Sequence, residues 1–383
     1  MSDIYCTAPF NGITVRENGD VKTCCMGSET IGNLNHNSIQ NILESTKLKA
    51  IQTSMLQGSA DLKNCQSCLR QERDSGLASL RQHYLKFYPD VQIELKLQSL
   101  DIRWNNLCNL GCVYCSPTFS SVWEDRQTIR INKPVKEYQN DLLQFILDNA
   151  DQVNEITLVG GEPMLMKQNY KLFEKLPSKI KISLVTNFSY DLERLPCFES
   201  LVKRPRDNIK WNLSLENSQQ KFEYVRNGAS WSQVEKNFSV LNQYWPESAC
   251  VNMVYSVFTA FDIEQAVQTF HNFNIKKFNF QSYFGHPAFD VFAMPLPIQK
   301  IALDQLLSTL DIHANNIHSE DRDLYPIENA SCIIQHLQSQ QQPNSNLTKQ
   351  QFNERIEWTN QWNKNRFQDL WPEVINLVDQ YLL

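Results

Sequence analysis

The sequence predicts an α/β protein, a partial (β/α)6 barrel of the TIM type set between an N-terminal cysteine-rich α+β module and a C-terminal helical extension. Three observations predict it. Between about residues 95 and 290, short β-branched runs alternate with amphipathic stretches, the order of parallel strands joined by right-handed crossovers. Five cysteines lie ahead of that repeat. After the proline-marked "MPLPIQ" at 294–299 the pattern is mostly helical.

The repeat supplies six candidate strands, at 99–104, 155–159, 180–186, 209–215, 250–258 and 276–282. Helical patterns such as "YQNDLLQFILDNA" and "WSQVEKNFSVLNQYW" lie between them. A doubly wound open sheet is the alternative arrangement of the same units. The segments read as 1–92, 93–290 and 291–383. In the first, "GITVRENGDVKTC" predicts a hairpin with Asn18-Gly19 as a two-residue turn. The stretch "NSIQNILESTKLKAIQTSMLQG" predicts a helix that ends at Gly58. In the last, the polar run at 338–346 reads as a loop, Thr348 and Gln351 as a capping box, and Phe352, Trp358 and Trp362 as a packing face. No internal repeat is visible.

Composition narrows the function classes. The chain has 383 residues, 42% hydrophobic and 20% charged, as in globular proteins. A net charge of −6 gives no electrostatic case for nucleic acid as a partner. No apolar run is long enough to span a bilayer, so no membrane partner is expected. The N-terminus "MSDIYCTAPF" lacks the basic and apolar regions of a signal peptide, which points to the cytoplasm. Disulfides are disfavoured there, and eight of the eleven cysteines cluster, which then points to metal, while Cys197, Cys250 and Cys332 stand alone.

The densest cluster is "CNLGCVYC", with Cys108, Cys112 and Cys115 directly after the first barrel strand. In a barrel, the loops at the C-terminal strand ends carry the chemistry. Three thiolates can ligate three irons of a cubane cluster and leave the fourth open to a small molecule. A zinc site would draw on the same thiolates but wants a fourth ligand. The second feature is "GGEP", Gly160, Gly161, Glu162 and Pro163, directly after the second strand. Glycines allow close backbone approach to a ligand, Glu162 offers an acceptor for an ammonium, and Pro163 ends the strand.

The CxxxCxxC pattern, with Tyr114 before its last cysteine, and GGEP in that order resemble the radical SAM superfamily. "TN" with Asn187, "SLEN" with Ser214 and Glu216, and "YVRNGASWSQV" with Arg226 extend the resemblance over roughly 97–290. It implies a [4Fe-4S] cluster on Cys108, Cys112 and Cys115, with S-adenosylmethionine (SAM) chelating the open iron. GGEP would contact the SAM amino group, Ser214 and Glu216 its ribose or carboxylate, and Arg226 its carboxylate. The implied reaction is reductive cleavage of SAM to a 5′-deoxyadenosyl radical that takes a hydrogen atom from a substrate carbon. A reductase, flavodoxin or ferredoxin would supply the electron.

Cys6, the hairpin, Cys24 and the "CQSC" pair Cys65 and Cys68 resemble the SPASM/Twitch module, which usually follows the barrel. The resemblance implies one auxiliary iron–sulfur cluster, of the [4Fe-4S] kind, on Cys6, Cys24, Cys65 and Cys68. A structural zinc site on the same four is the alternative. Cys25 competes with Cys24, but adjacent side chains on a strand diverge. Enzymes of this kind often act on peptides, which implies crosslinking, epimerisation or oxidation of a peptide. A dehydrogenase or epimerase acting on a sugar, cyclitol or nucleoside is the alternative, and a non-catalytic zinc-binding protein the third reading. Cys250 and Cys332 are candidate hydrogen-atom donors to a substrate radical.

Overall fold

A computed structural model of the chain describes residues 5–58, 62–75, 79–91, 95–133, 136–283, 285–319, 325, 327–343 and 346–382. The expected segment boundary at 92/93 and part of the polar run at 338–346 lie outside the described residues. The chain divides into two compact units, which cut across the three segments read from the sequence. One unit comprises Met1–Asn109, Ser116–Thr186 and Arg194–Lys210. The other comprises Leu110–Cys115, Asn187–Glu193 and Trp211–Leu383.

The first unit is built on a sheet ordered β3-β2-β1-β4-β5-β6 among the described residues. The strands are β1 (Gly12–Val15), β2 (Asp20–Lys22), β3 (Thr30–Asn33), β4 (Ser99–Arg103), β5 (Glu155–Val159) and β6 (Lys181–Thr186). β4, β5 and β6 are parallel and in register, Ser99 beside Glu155 and Glu155 beside Lys181. Their even-numbered residues, among them Leu100, Ile102, Ile156, Leu158, Ile182 and Leu184, are fully buried. Each such side chain contributes about 1.5–3 kcal/mol. The opposite face carries Ser99, Asp101, Glu155, Thr157, Lys181 and Ser183, the period-two alternation of strands with unlike sides.

The N-terminal hairpin does not stand apart from this sheet. β1 pairs with β4 in parallel, from Gly12 beside Ser99 to Val15 beside Ile102. β1 and β2 form the expected hairpin, but the turn has three residues rather than two. Arg16 N–H donates to the Asp20 carbonyl at 2.8 Å, and Gly19 takes φ of 87° after Glu17-Asn18. That is the hairpin in which a left-handed glycine follows a tight turn. The predicted 37–58 helix is two helices, Ile39–Leu43 and Thr46–Gln57, because Ser45 accepts from Leu48 N–H and starts the chain afresh. Gly58 is the left-handed cap expected of it, φ 67°.

The second unit carries β7 (Ile209–Ser214) from Trp211 on, β8 (Ala249–Tyr255), β9 (Phe278–Ser282) and β10 (Ile327–Glu328), in that order and parallel. Strand-then-helix units alternate through both units, so the α/β class and the partial-barrel repeat hold. The run expected as a strand to 258 stops at Tyr255, where Val257–Ala260 turns helical. β10 was not foreseen; a two-residue strand carries no periodicity to detect. Helix Leu296–Asn315 starts inside "MPLPIQ", and helix Lys349–Asn360 begins as predicted, with the Thr348–Gln351 capping box. Its buried stripe is Phe352, Ile356 and Thr359, whereas Trp358 and Trp362 are half-buried. The C-terminal helices share an aromatic core with the repeat: Tyr224 lies 5.4 Å from Trp371, and Phe258 5.7 Å from Phe367.

Candidate active site

In the first unit, β4 delivers the chain into the cysteine loop, and the GGEP turn after β5 is bonded to the start of that loop. Gly161 N–H donates to the Asn105 carbonyl at 3.3 Å, and Glu162 N–H to the Leu107 carbonyl at 2.8 Å. Both glycines are required by this approach. Gly160 has φ of 121°, and a Cβ on Gly161 would stand 2.2 Å from the Leu107 oxygen. What the glycines admit here is the backbone of the loop that carries Cys108. Cys108 N–H donates to Ser121 Oγ at 3.1 Å, and Asn106 Nδ2 donates to the Pro117 carbonyl at 2.7 Å, so the loop is braced on its far side.

Glu162 is wholly buried, and its Oε1 accepts from Met164 N–H at 3.0 Å and from the Thr186 hydroxyl at 2.8 Å. The carboxylate thus caps the short helix Pro163–Leu165 and ties β5 to β6. Asn169 completes the bracing. It accepts from Trp104 Nε1 at 2.6 Å and donates to the Pro163 carbonyl at 2.7 Å. Asn169 escaped the sequence analysis, since a polar residue on a helix face gives no signal of what it holds; Thr186 was read only as the first residue of the strand-ending "TN".

In the second unit, Cys112, Tyr114, Glu216 and Arg226 come together. Gly111 and Val113 N–H donate to the Asn227 and Val225 carbonyls at 2.9 and 3.0 Å, which docks this stretch against the end of helix Gln219–Val225. Arg226 clamps Glu216 with Nε at 2.7 Å and Nη2 at 2.5 Å, while Nη1 donates to Cys112 Sγ at 3.6 Å. Its guanidinium also lies over the Tyr114 ring, 5.5 Å from the centroid. Burial raises the Cys112 thiol pKa, and the Arg226 charge opposes that. The expectation that Arg226 is open to a carboxylate of SAM therefore meets a guanidinium already forked onto Glu216.

The remaining expected residues are dispersed within this unit. Ser214 ends β7 beside Asn252, and Asn187 Oδ1 accepts from Ser189 N–H at 3.1 Å. Cys250 is buried in β8 beside Asn212, on the polar face with Asn252. Cys332 sits half-buried on helix Ala330–Ser339.

The N-terminal cysteines gather in the first unit. Cys6 joins Phe10, Met55, Tyr84 and Tyr88 in a buried cluster against which Cys24 and Cys65 pack. Cys65 and Cys68 are one turn apart on helix Leu62–Ser75, hence on one face. Burial pushes Cys6 up to about 12, and the charges of Cys24, Cys65 and Cys68 add to it; Ala8 N–H, 3.5 Å from its sulfur, works against them. Burial pushes Cys24 up to about 11, opposed by the Met26 and Gly27 N–H groups. Four crowded thiols with amide donors aimed at them fit a thiolate-ligated metal group, whose positive charge relieves their repulsion. Cys25 diverges from Cys24 as expected, though on a turn, and faces Asp101. Among the described residues, no three His, Cys, Asp or Glu side chains stand ready to hold a single metal ion.

Residues 102–270 match the model of the radical SAM superfamily, and residues 6–69 that of SPASM, an iron–sulfur cluster-binding domain. This chain is a radical SAM protein. Its radical SAM domain implies a [4Fe-4S] cluster and SAM, and its N-terminal SPASM-type module an auxiliary iron–sulfur cluster. Similar solved structures include anSMEcpe with bound AdoMet, at 20% identity over 57% of this chain and 62% of that chain, TM-score 0.41. Another is Streptococcus suis SuiB bound to precursor peptide SuiA, at 19% identity over 68% and 60%, TM-score 0.39. This radical SAM chain spans less than two thirds of the length of either. No curated protein matches it. No helix among its described residues is long and apolar enough to cross a membrane.

Proposed function

We propose that this radical SAM protein is an oxidoreductase or maturase that removes a hydrogen atom from a peptide and so crosslinks, epimerises or oxidises it. Cys108, Cys112 and Cys115 would hold the catalytic cluster, and Cys6, Cys24, Cys65 and Cys68 the auxiliary one. The observation that carries the reading is the bonding of GGEP to the start of the cysteine loop, which couples the two motifs through backbone rather than through sequence order alone. A reduced [4Fe-4S] cluster with bound SAM supplies a 5′-deoxyadenosyl radical able to take hydrogen from carbon.

The chain's own part is binding and orientation. Glu162, fixed by Thr186 and Met164 N–H, would keep the GGEP turn in shape beside bound SAM. Ser214, Asn187 and Tyr114 are proposed to border SAM as well. A cavity of about 480 Å³ in the first unit, lined by His83, Asp101, Glu155, Thr157 and Lys181, offers both signs of charge and suits a charged peptide residue. A cytoplasmic setting with a ferredoxin- or flavodoxin-class donor completes the proposal.

The test is anaerobic turnover of reduced, cluster-loaded protein with SAM. We expect methionine and 5′-deoxyadenosine, absent in the Cys108→Ala/Cys112→Ala/Cys115→Ala protein; a loaded wild type that leaves SAM intact overturns the reading. Deuterated peptides encoded beside the gene should pass deuterium to 5′-deoxyadenosine. Transfer from a sugar, cyclitol or nucleoside instead would exclude a peptide substrate.

A further inference from the structure

The Arg226–Glu216 pair is an expensive object to bury. Arg226 is 8% exposed and Glu216 0%, and burial of two charges costs several kcal/mol per ion before their attraction is counted. Apolar replacements of equal volume often serve stability as well or better. The geometry says what the pair does. Nε and Nη2 are both taken by the Glu216 carboxylate, which fixes the guanidinium plane, and the remaining arm, Nη1, is left directed at Cys112 Sγ. The guanidinium also lies over the Tyr114 ring, which adds a cation–π attraction to the same orientation. A lysine could not meet these demands, since an ammonium lacks the fixed fork.

We propose that Arg226, oriented by Glu216, is a positioning residue whose N–H···S bond to Cys112 raises the reduction potential of the cluster that Cys112 ligates. The inference rests on the reading of Cys112 as a cluster ligand. Reduction adds one negative charge to the cluster, part of it carried by the ligand sulfurs. A charged donor on one sulfur stabilises that form over the oxidised one, and hydrogen bonds to sulfur are among the levers that set such potentials. Glu216 tempers the effect because its charge offsets that of the guanidinium. The same fork withholds Arg226 from a two-pronged grip on an incoming carboxylate.

The experiment is an electron-paramagnetic-resonance redox titration of the anaerobic, reconstituted protein without SAM, reduced stepwise with dithionite or titanium(III) citrate. Iron and sulfide are counted in every variant. Arg226→Gln should keep its iron and, at the potential where wild type is half reduced, show a reduced-to-oxidised ratio about tenfold lower, equivalent to about 59 mV for a one-electron couple. Glu216→Gln should move the ratio the other way. Arg226→Gln leaves Glu216 buried without its partner, so Arg226→Met/Glu216→Leu, which removes both charges, is titrated beside it. It should also fall below wild type. Full iron with an unmoved potential in the double variant overturns the inference while leaving the proposed activity standing. A wild type with no cluster on Cys108, Cys112 and Cys115 overturns the activity first.

Discussion

Gly161→Ala puts one methyl group where the structure has no room for it. The new Cβ would lie 2.2 Å from the Leu107 oxygen and 2.5 Å from that of Asn106, where ordinary contact begins at 3.4 Å. Both obstacles are backbone, so the turn and the cysteine loop must part by about 1.2 Å rather than a side chain rotating aside. That opening stretches the 2.8 Å bond from Glu162 N–H to Leu107 beyond hydrogen-bonding range, and weakens the 3.3 Å bond from Gly161 N–H to Asn105. Two weakened backbone bonds at about 0.5–1.5 kcal/mol each, with about 1–3 kcal/mol of overpacking, give a local cost of about 2–6 kcal/mol. The next residue after Leu107 is Cys108. The damage should therefore appear first as loss of the catalytic cluster. Anaerobic reconstitution of Gly161→Ala should lose about half of its iron and most of its SAM affinity, measured by equilibrium dialysis, while the N-terminal cysteines keep theirs. Wild-type iron and SAM affinity in this variant would refute the argument that GGEP holds the cysteine loop.

Two further predictions concern stability. Thr186→Val deletes a hydroxyl that donates to a wholly buried carboxylate. It should lower unfolding stability by about 1.5–3 kcal/mol in urea titration, and an unchanged midpoint would remove Thr186 from the account. His271 Nε2 lies 3.1 Å from His313 Nδ1 in the second unit, and burial, then the His313 charge, pulls His271 down from 6.5 to about 4. Between those values the unfolded chain holds the extra proton, so stability falls as pH falls from 6.5 toward 4. With the ring partly exposed, the loss is about 1–2 kcal/mol. The thermal midpoint of His271→Gln should fall less over this range than that of wild type; equal slopes would refute it.

Parts of this molecule were legible in its sequence because they repeat a physical pattern. Strands at 155–159 and 180–186 announce themselves by β-branched alternation, and Gly58 and Thr348 by what caps demand. Cys24 and Cys25 diverge as expected, but on a turn rather than on the strand that the expectation assumed. What escaped depends on partners far along the chain. Nothing local in "GITV" says that β1 will pair with β4, roughly eighty-five residues on. The glycines of GGEP read as room for a ligand, whereas the Leu107 carbonyl fills that room. Arg226 read as a carboxylate binder for SAM, and the carboxylate it holds is Glu216, ten residues away. In the last two cases the residue type foretold the chemistry, a close approach or an ion pair, and tertiary packing chose the partner.

The central claim, a catalytic cluster on Cys108, Cys112 and Cys115 with an auxiliary one on Cys6, Cys24, Cys65 and Cys68, is tested most directly by counting iron and sulfide. Anaerobically reconstituted wild type should hold about eight of each, and the Cys108→Ala/Cys112→Ala/Cys115→Ala protein about four, still bound by the N-terminal cysteines. A fall from about four to none would contradict the account, because the N-terminal thiols would then carry no iron.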